Sequence, residues 1–172
     1  MTQNFHFASM FIINLLAPVA AEVIKLDGST LDDHLKTHPF TLVKFFAPWC
    51  GHCKALAPKW EELSNGMTDV PVAEIDCPAN QDVCGKYGVR GYPTIKMLTS
   101  EFAYDYEGER EAKAIADWAK KIQEPMFTPV KREDISSDKN YFIAYGPLDK
   151  MEETEKMLAQ FKGKIEIYYV ES

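Results

Sequence analysis

An apolar run over residues 40–46 stops at Ala47-Pro48, and two cysteines separated by Gly51 and His52 follow at once. A run this short, rich in aromatic and aliphatic side chains, reads as a buried central strand. The residues after it, with Leu56, Trp60 and Leu63 at helical spacing, read as a helix over residues 50–66 that Pro58 should bend. Cys50 therefore stands at the first turn of a helix, where unpaired backbone N–H groups and the macrodipole favour negative charge. A thiolate is such a charge, and this placement lowers a free thiol from about 8.5 to roughly 3.5–7.5. Cys50 is the expected nucleophile, and Cys53, about one turn further in and less open to solvent, the resolving thiol. His52 adds a side chain that is cationic near neutral pH and favours the reduced thiolate over the uncharged disulfide. The chemistry such a pair supports is thiol–disulfide exchange. A zinc half-site and a plain structural cysteine pair are the competing readings, and Trp-Cys-Gly-His-Cys is far more specific than a bare C-x-x-C.

The chain has 172 residues, enough for one full domain and part of another, and 46% of them are hydrophobic, ample for a packed core. A formal net charge of -7, with no basic cluster interleaved with aromatics, argues against nucleic acid as a partner. Residues 1–21 contain no Asp, Glu, Lys or Arg and end in Val19-Ala20-Ala21, which suits a signal peptide cleaved before Glu22. Its n-region lacks Lys and Arg, so an uncleaved anchor remains the alternative. Four cysteines leave none unpaired, which fits an oxidising compartment, and with the leader points to the lumen of the endoplasmic reticulum. No second apolar span follows the leader, and the last residues are not a Lys-Asp-Glu-Leu type signal.

Further along, residues 23–26 alternate as a strand, and residues 30–37 read as a helix with Ser29 or Thr30 available as its cap. Residues 72–76 form the next strand, residues 81–87 a short helix, residues 94–98 and 102–106 a hairpin-like pair, and residues 111–122 a closing helix. Trp60 and Trp118 are expected as core or interface residues, and His34 and His38 as packing or solvent-facing ones. Residues 125–130 read as a linker. Beyond it, residues 141–145 and 164–170 are strand-like and residues 150–161 helical, a β-α-β piece too small to be stable alone. The chain thus reads as truncated, with any membrane anchor lying beyond Ser172.

Trp49-Cys50-Gly51-His52-Cys53-Lys54, with Gly88-Val89-Arg90-Gly91-Tyr92-Pro93-Thr94, resembles a catalytic domain of the protein disulfide isomerase family in the thioredoxin superfamily. The likeness covers residues 22–124; residues 131–172 resemble, more weakly, the redox-inactive second domain of such proteins. It implies an α/β thioredoxin fold, a mixed central sheet flanked by helices, followed by a partial second β-α-β unit. It implies a cis peptide at Tyr92-Pro93, which X-Pro bonds accept at about 0.5–1 kcal/mol, and a client chain pairing with the backbone at Tyr92 beside an apolar rim that includes Trp49.

At Lys44 the family usually carries a buried acid that shuttles the proton of the second cysteine, and at Glu74 a lysine that pairs with it. The two charges look exchanged as a couple, so Lys44 and Glu74 are expected to face each other near Cys53 and to relay a proton. Snorkelling of Lys44 to solvent is the alternative. Arg110 matches the family arginine that swings toward the resolving cysteine and lowers its pKa; a helix-start salt bridge with Glu109 or Glu111 competes. Cys77 and Cys84 have a spacing compatible with a local loop-closing disulfide, which some family members carry, with a second redox centre as the alternative; the fold resemblance argues against a four-thiol zinc site.

The resulting expectation is a protein disulfide isomerase acting through Cys50-Gly51-His52-Cys53, with no bound organic cofactor or metal. Its partners would be folding polypeptides with thiols or disulfides, and a thiol oxidase or glutathione for recycling. The alternative is an unfolded-polypeptide-binding chaperone or adaptor whose redox activity is secondary.

Overall fold

The computed structural model describes residues 22–125, 128–129, 141–145, 152–162 and 165–170. Its organising strand is β2 (Thr41–Phe46), buried from Thr41 to Phe45. A strand with both faces covered has no polar alternation, which is why this stretch reads as continuously apolar apart from Lys44. On one side β2 pairs in parallel with β3 (Val72–Asp76), which in turn pairs in parallel with β1 (Ile24–Lys25). On the other side it runs antiparallel to β4 (Thr94–Leu98), whose outer neighbour is β5 (Ala103–Asp105). The sheet order is β1-β3-β2-β4-β5.

Alternation along β2 sends Leu42 to one face and Val43 and Phe45 to the other. Leu42 meets Leu56, Trp60 and Leu63 of α2 (Gly51–Gly66) and Ile115, Ala119 and Ile122 of α4 (Ala112–Gln123). These spacings of three and four residues form one stripe on each helix, and α2 runs unbroken through Pro58. Val43 and Phe45 meet Leu31 and Leu35 of α1 (Leu31–Thr37) and Cys84 of α3 (Gln81–Lys86). Trp60 is fully buried and Trp118 packs half-buried against the same core, as their helical positions imply.

The start of α1 differs from expectation. Thr30 occupies the N-cap but its hydroxyl makes no capping bond. The Asp27 carboxylate instead accepts from the backbone N–H groups of Ser29 (2.8 Å) and Thr30 (3.0 Å) and from both hydroxyls. Those donors hold Asp27 down at about 2, the Ser29 and Thr30 hydroxyls contributing most. The two histidines are coupled to each other, their rings stacked 4.1 Å apart, while His34 Nε2 lies 3.1 Å from the Thr41 hydroxyl.

The loop between β3 and α3 is closed by a disulfide joining Cys77 and Cys84, with a Cα–Cα distance of 5.7 Å. Within it, the Asn80 side chain accepts from Gly28 N–H (3.2 Å) and donates to the Asp76 carbonyl (2.9 Å), tying the loop to the β1–α1 turn. A side chain at Gly28 would bring its Cβ to 3.2 Å from Val83, so the turn and α3 approach as closely as they do because that residue is glycine.

A second, three-stranded parallel sheet follows, in the order β6-β8-β7. It comprises β6 (Thr128–Pro129), β7 (Tyr141–Tyr145) and β8 (Glu166–Val170), with α5 (Glu152–Leu158) and a short 3-10 turn (Ala159–Phe161) between the last two strands. Two residues expected in the linker are thus strand, paired with β8 in the register Thr128↔Tyr168. Among the described residues this small unit shares its buried side chains with the first. Leu158, Ala159 and Ile167 join the cluster built around Leu42 and Trp60. Lys162 lies 5.8 Å from the centroids of both the Phe40 and Tyr104 rings. Burial at this seam lowers Lys162 and pushes the Tyr104 phenol up to about 12. The expected signal peptide, residues 1–21, lies outside the described residues, and among those described no helix is long and apolar enough to cross a membrane.

Replacing Cys77 and Cys84 together by Ser should lower unfolding free energy by about 2–3 kcal/mol, the loop-entropy scale for so short a ring. Urea denaturation of the two proteins checks this, and reductant strong enough to open the bond should bring the wild type to the level of the variant.

Candidate active site

β2 ends at Phe46, and Ala47-Pro48-Trp49 turns the chain into α2. Cys50 is the N-cap of that helix, with extended backbone (φ -73°, ψ 116°), and its sulfur accepts the N–H of Cys53 at 3.2 Å. N-cap positions favour Ser, Asp and Asn because a side-chain oxygen can accept from an orphan N–H of the first turn. Sulfur does that here. Both thiols are free and lie just under the surface, in a small cluster with Ala47 and the half-buried Phe46 and Tyr92. The Cys50 thiol also points at the Tyr92 carbonyl, 3.6 Å away.

The two sulfurs are driven apart in acidity. Cys50 falls below the range of an ordinary thiol, mainly through its hydrogen bond with the Cys53 side chain, then through the backbone N–H groups of Cys53 and His52 and the charge of Arg110. Cys53 rises to about 11, first because it is desolvated and next because the Cys50 sulfur competes for the negative charge. Among its neighbours only the Ala47 backbone and the Lys44 ammonium act in the opposite direction. At neutral pH one thiol is primed and the other holds its proton, the separation of roles that sequential thiol chemistry requires.

Lys44 and Glu74 are register partners across β2 and β3, and their side chains form an ion pair at 2.8 Å. Lys44 is only 4% exposed and Glu74 18%. The ammonium is flanked by the Phe46 and Trp60 rings, 5.3 and 5.5 Å to their centroids, so it does not snorkel to solvent. A cleft of about 550 Å³ lined by Lys44, Glu74, Ala57, Trp60 and Glu61 opens on the pair from outside. Trp60 was legible only as a core residue; its place beside the ammonium depends on which strand lies beneath α2, which no local pattern encodes.

The peptide between Tyr92 and Pro93 is cis, and Pro93 is buried behind the Tyr92 carbonyl. Trp49 is 70% exposed and meets the Tyr92 ring edge-on, with centroids 6.0 Å apart. Two side chains sit differently from expectation. His52 is exposed, and what reaches Cys50 is its backbone N–H rather than its ring. Arg110 lines a groove of about 300 Å³ with Pro93, Thr94 and Tyr106, and its charge bears on Cys50, whereas the cation acting on Cys53 is Lys44. Gly51 meets nothing within 4 Å of where a Cβ would stand and has no positive φ, so its place in the motif leaves open space above Cys50 rather than relieving strain.

Residues the motif reading passed over shape the loop that carries Arg110. Tyr106 donates its hydroxyl to the Glu109 carbonyl at 2.6 Å and covers Gly108, where a Cβ would lie 2.6 Å from that hydroxyl oxygen. Lys59 of α2 pairs with Glu111, the residue after Arg110, so one of the two expected competitors for Arg110 is taken by another cation. Cys77 and Cys84 are bonded to each other, which removes them from any four-thiol metal set with Cys50 and Cys53.

A free dithiol at a helix N-terminus, facing the carbonyl before a buried cis proline, on a mixed sheet of order β1-β3-β2-β4-β5, defines a thioredoxin-fold dithiol protein. The thioredoxin family model matches residues 22–121, and the chain belongs to that family. It is 37% identical over 151 residues to a protein disulfide-isomerase of Humicola insolens, covering 81% of this chain and 30% of the relative. It is 41% identical over 123 residues to protein disulfide-isomerase A3 of Gallus gallus, covering 69% of this chain and 24% of the relative. The chain therefore spans less than a third of these relatives' lengths. Among solved structures, the first thioredoxin domain of mouse protein disulfide-isomerase A4 superposes with a TM-score of 0.56 at 32% identity, covering 67% of this chain and 84% of that one. Human ERp44 superposes with a TM-score of 0.69 over 91% of this chain and 46% of its own, at 22% identity, a likeness of fold.

Removing one partner of a buried ion pair leaves a charge uncompensated, whereas removing both need not. Glu74→Gln alone should destabilise the chain by about 2–4 kcal/mol, and Lys44→Met with Glu74→Gln should stay within about 1 kcal/mol of wild type. Denaturant titration of both variants separates a structural pair from two independent surface charges.

Proposed function

We propose that this chain is a thiol–disulfide oxidoreductase of the protein disulfide isomerase type. It would form, reduce and rearrange disulfides in folding secretory polypeptides within the endoplasmic reticulum lumen. The observation that carries the reading is the opposed acidity of two thiols one helical turn apart, the acidic one under the Tyr92 carbonyl. Similarity to curated protein disulfide-isomerases supports the same chemistry.

In the reducing direction the Cys50 thiolate attacks one sulfur of a client disulfide, forming a mixed disulfide and releasing the other sulfur as a thiolate. Cys53 then gives up its proton and attacks the Cys50 sulfur. That step releases the second client thiolate and leaves a Cys50–Cys53 disulfide, so two electrons pass to the client. Oxidation of a client dithiol is the reverse. Isomerisation occurs when a client thiol, rather than Cys53, resolves the intermediate. A thiol oxidase or glutathione resets the pair.

Lys44 and Glu74 act at the Cys53 step. The ammonium stabilises the emerging thiolate, and the pair carries its proton toward the outer cleft: Lys44 passes a proton to Glu74 and takes that of Cys53. Arg110 and the first-turn N–H groups favour ionisation of Cys50. Trp49 and Tyr92 offer an exposed aromatic edge for client binding, which also supports the chaperone reading. If the Cys50→Ser, Cys53→Ser double variant still promotes client folding, binding rather than redox is the main role.

Cys50→Ser should remove turnover in both insulin reduction and the refolding of scrambled ribonuclease. In the wild type, alkylation of Cys50 should titrate at lower pH than a peptide thiol, and Arg110→Gln should move that titration upward. Because burial raises the Cys53 thiol, unaided release from the mixed disulfide should accelerate with pH through the neutral range. The relay blunts that dependence. Glu74→Gln should slow release by roughly 10- to 100-fold near neutrality and steepen its rise with pH, the lower end of general acid–base effects. A pH dependence unchanged by Glu74→Gln would remove the relay.

A further inference from the structure

We infer that the face around Cys50 selects client cysteines flanked by acidic residues, with Arg110 as the specificity-determining side chain. The inference rests on the redox reading above and extends it to the choice of substrate. The chain carries a net charge of -7, yet three exposed cations, Lys54, Arg90 and Arg110, stand near the dithiol in sequence or along the groove beside it. Lys54 follows Cys53, Arg90 lies two residues before Tyr92, and Arg110 lines the groove that begins at Pro93.

None of these three cations has an ion-pair partner among the described residues, whereas Lys36, Lys59, Lys86 and Lys113 each do. Arg110 is unpaired for a visible reason. Glu111, its neighbour in sequence, is held by Lys59, and Asp105, which lines the same groove, is held by the buried Lys96. Two of the nearby carboxylates are thus matched to other cations, and the guanidinium lines a groove of about 300 Å³ whose wall also carries Glu107.

That groove runs on from the Tyr92–Pro93 backbone, where a client strand would lie while its cysteine meets Cys50. A side chain a short way along that strand would enter it. A carboxylate there gains a fork-shaped donor, while a lysine meets the like charge of the guanidinium. Lys54 and Arg90 extend the positive field to both sides of the cysteine and speed the approach of acidic segments.

The test uses the whole chain and a set of disulfide-bonded peptides that differ only in the residues flanking the cysteine: Glu, Ala or Lys. Reduction of the Glu peptide should exceed that of the Lys peptide in kcat/KM by roughly fivefold, the scale of an exposed ion pair, and high salt should shrink the ratio. Arg110→Gln should bring the ratio near one, Arg110→Lys should retain most of it, and Arg90→Gln should reduce it in part. Loss of Cys50 activation by Arg110→Gln slows every peptide alike, so the ratio isolates recognition from reactivity. Equal rates for Glu and Lys peptides in the wild type, or a ratio that survives Arg110→Gln, would overturn the inference while leaving the redox reading standing. Failure of all the peptides to react would sink both.

Discussion

The hydrogen bond from the Cys53 N–H to the Cys50 sulfur is where fold and chemistry become one constraint. A helix begun at this point has N–H groups in its first turn that need acceptors, and burial of the Cys50–Ala47 cluster keeps water from supplying them freely. The side chain that answers is the reactive one. Charging the sulfur strengthens the cap, so the structure that starts α2 also stabilises the thiolate. Oxidation to a disulfide removes that charge and weakens the same bond. The site thus favours the reduced, ionised state by the physics that ends a strand and begins a helix, and the position of β2 at the centre of the sheet holds the junction still.

Beneath it, the Lys44–Glu74 pair shows what a central strand can tolerate. An ammonium at 4% exposure would be prohibitive alone, and it is accommodated by a carboxylate at 2.8 Å and two aromatic faces. Parallel register is what makes this reliable, because Lys44 and Glu74 are opposite each other on adjacent strands and both side chains lie on the α2 side. A cation at the strand position below Cys53 has a consequence that a carboxylate there would not. It acts directly to lower the resolving thiol, against the burial that raises it.

Much of this was legible from residues alone, and the exceptions have a common cause. The strands over residues 72–76 and 94–98 lie where the sequence places them, because β-branched and aliphatic runs there are bounded by Pro71 on one side and Tyr92-Pro93 on the other. The core helices follow from spacings that survive any change of partner. The N-cap of α1 is Thr30, one of the two residues expected there, but the capping bonds come from Asp27, which reaches forward to both. β6 was read as linker because two residues, one of them proline, carry no period, and their pairing partner lies about 40 residues away in β8. The bearing of Arg110 on Cys50 was not legible, because the loop that carries it is shaped by Tyr106, Gly108 and the Lys59–Glu111 pair, the last of which joins residues 52 apart.

The two charged features of the site lie on opposite sides of the sulfur pair. Lys44 and Glu74 sit under α2 and act on Cys53 from the interior, with an outlet to water through their own cleft. Arg110, Arg90 and Lys54 are exposed, and the charge of Arg110 acts on Cys50. A change in the inner pair bears first on Cys53, and a change in Arg110 first on Cys50. The two sulfurs nevertheless set each other's acidity through their shared hydrogen bond, so a shift imposed on one thiol from either side is passed in part to the other.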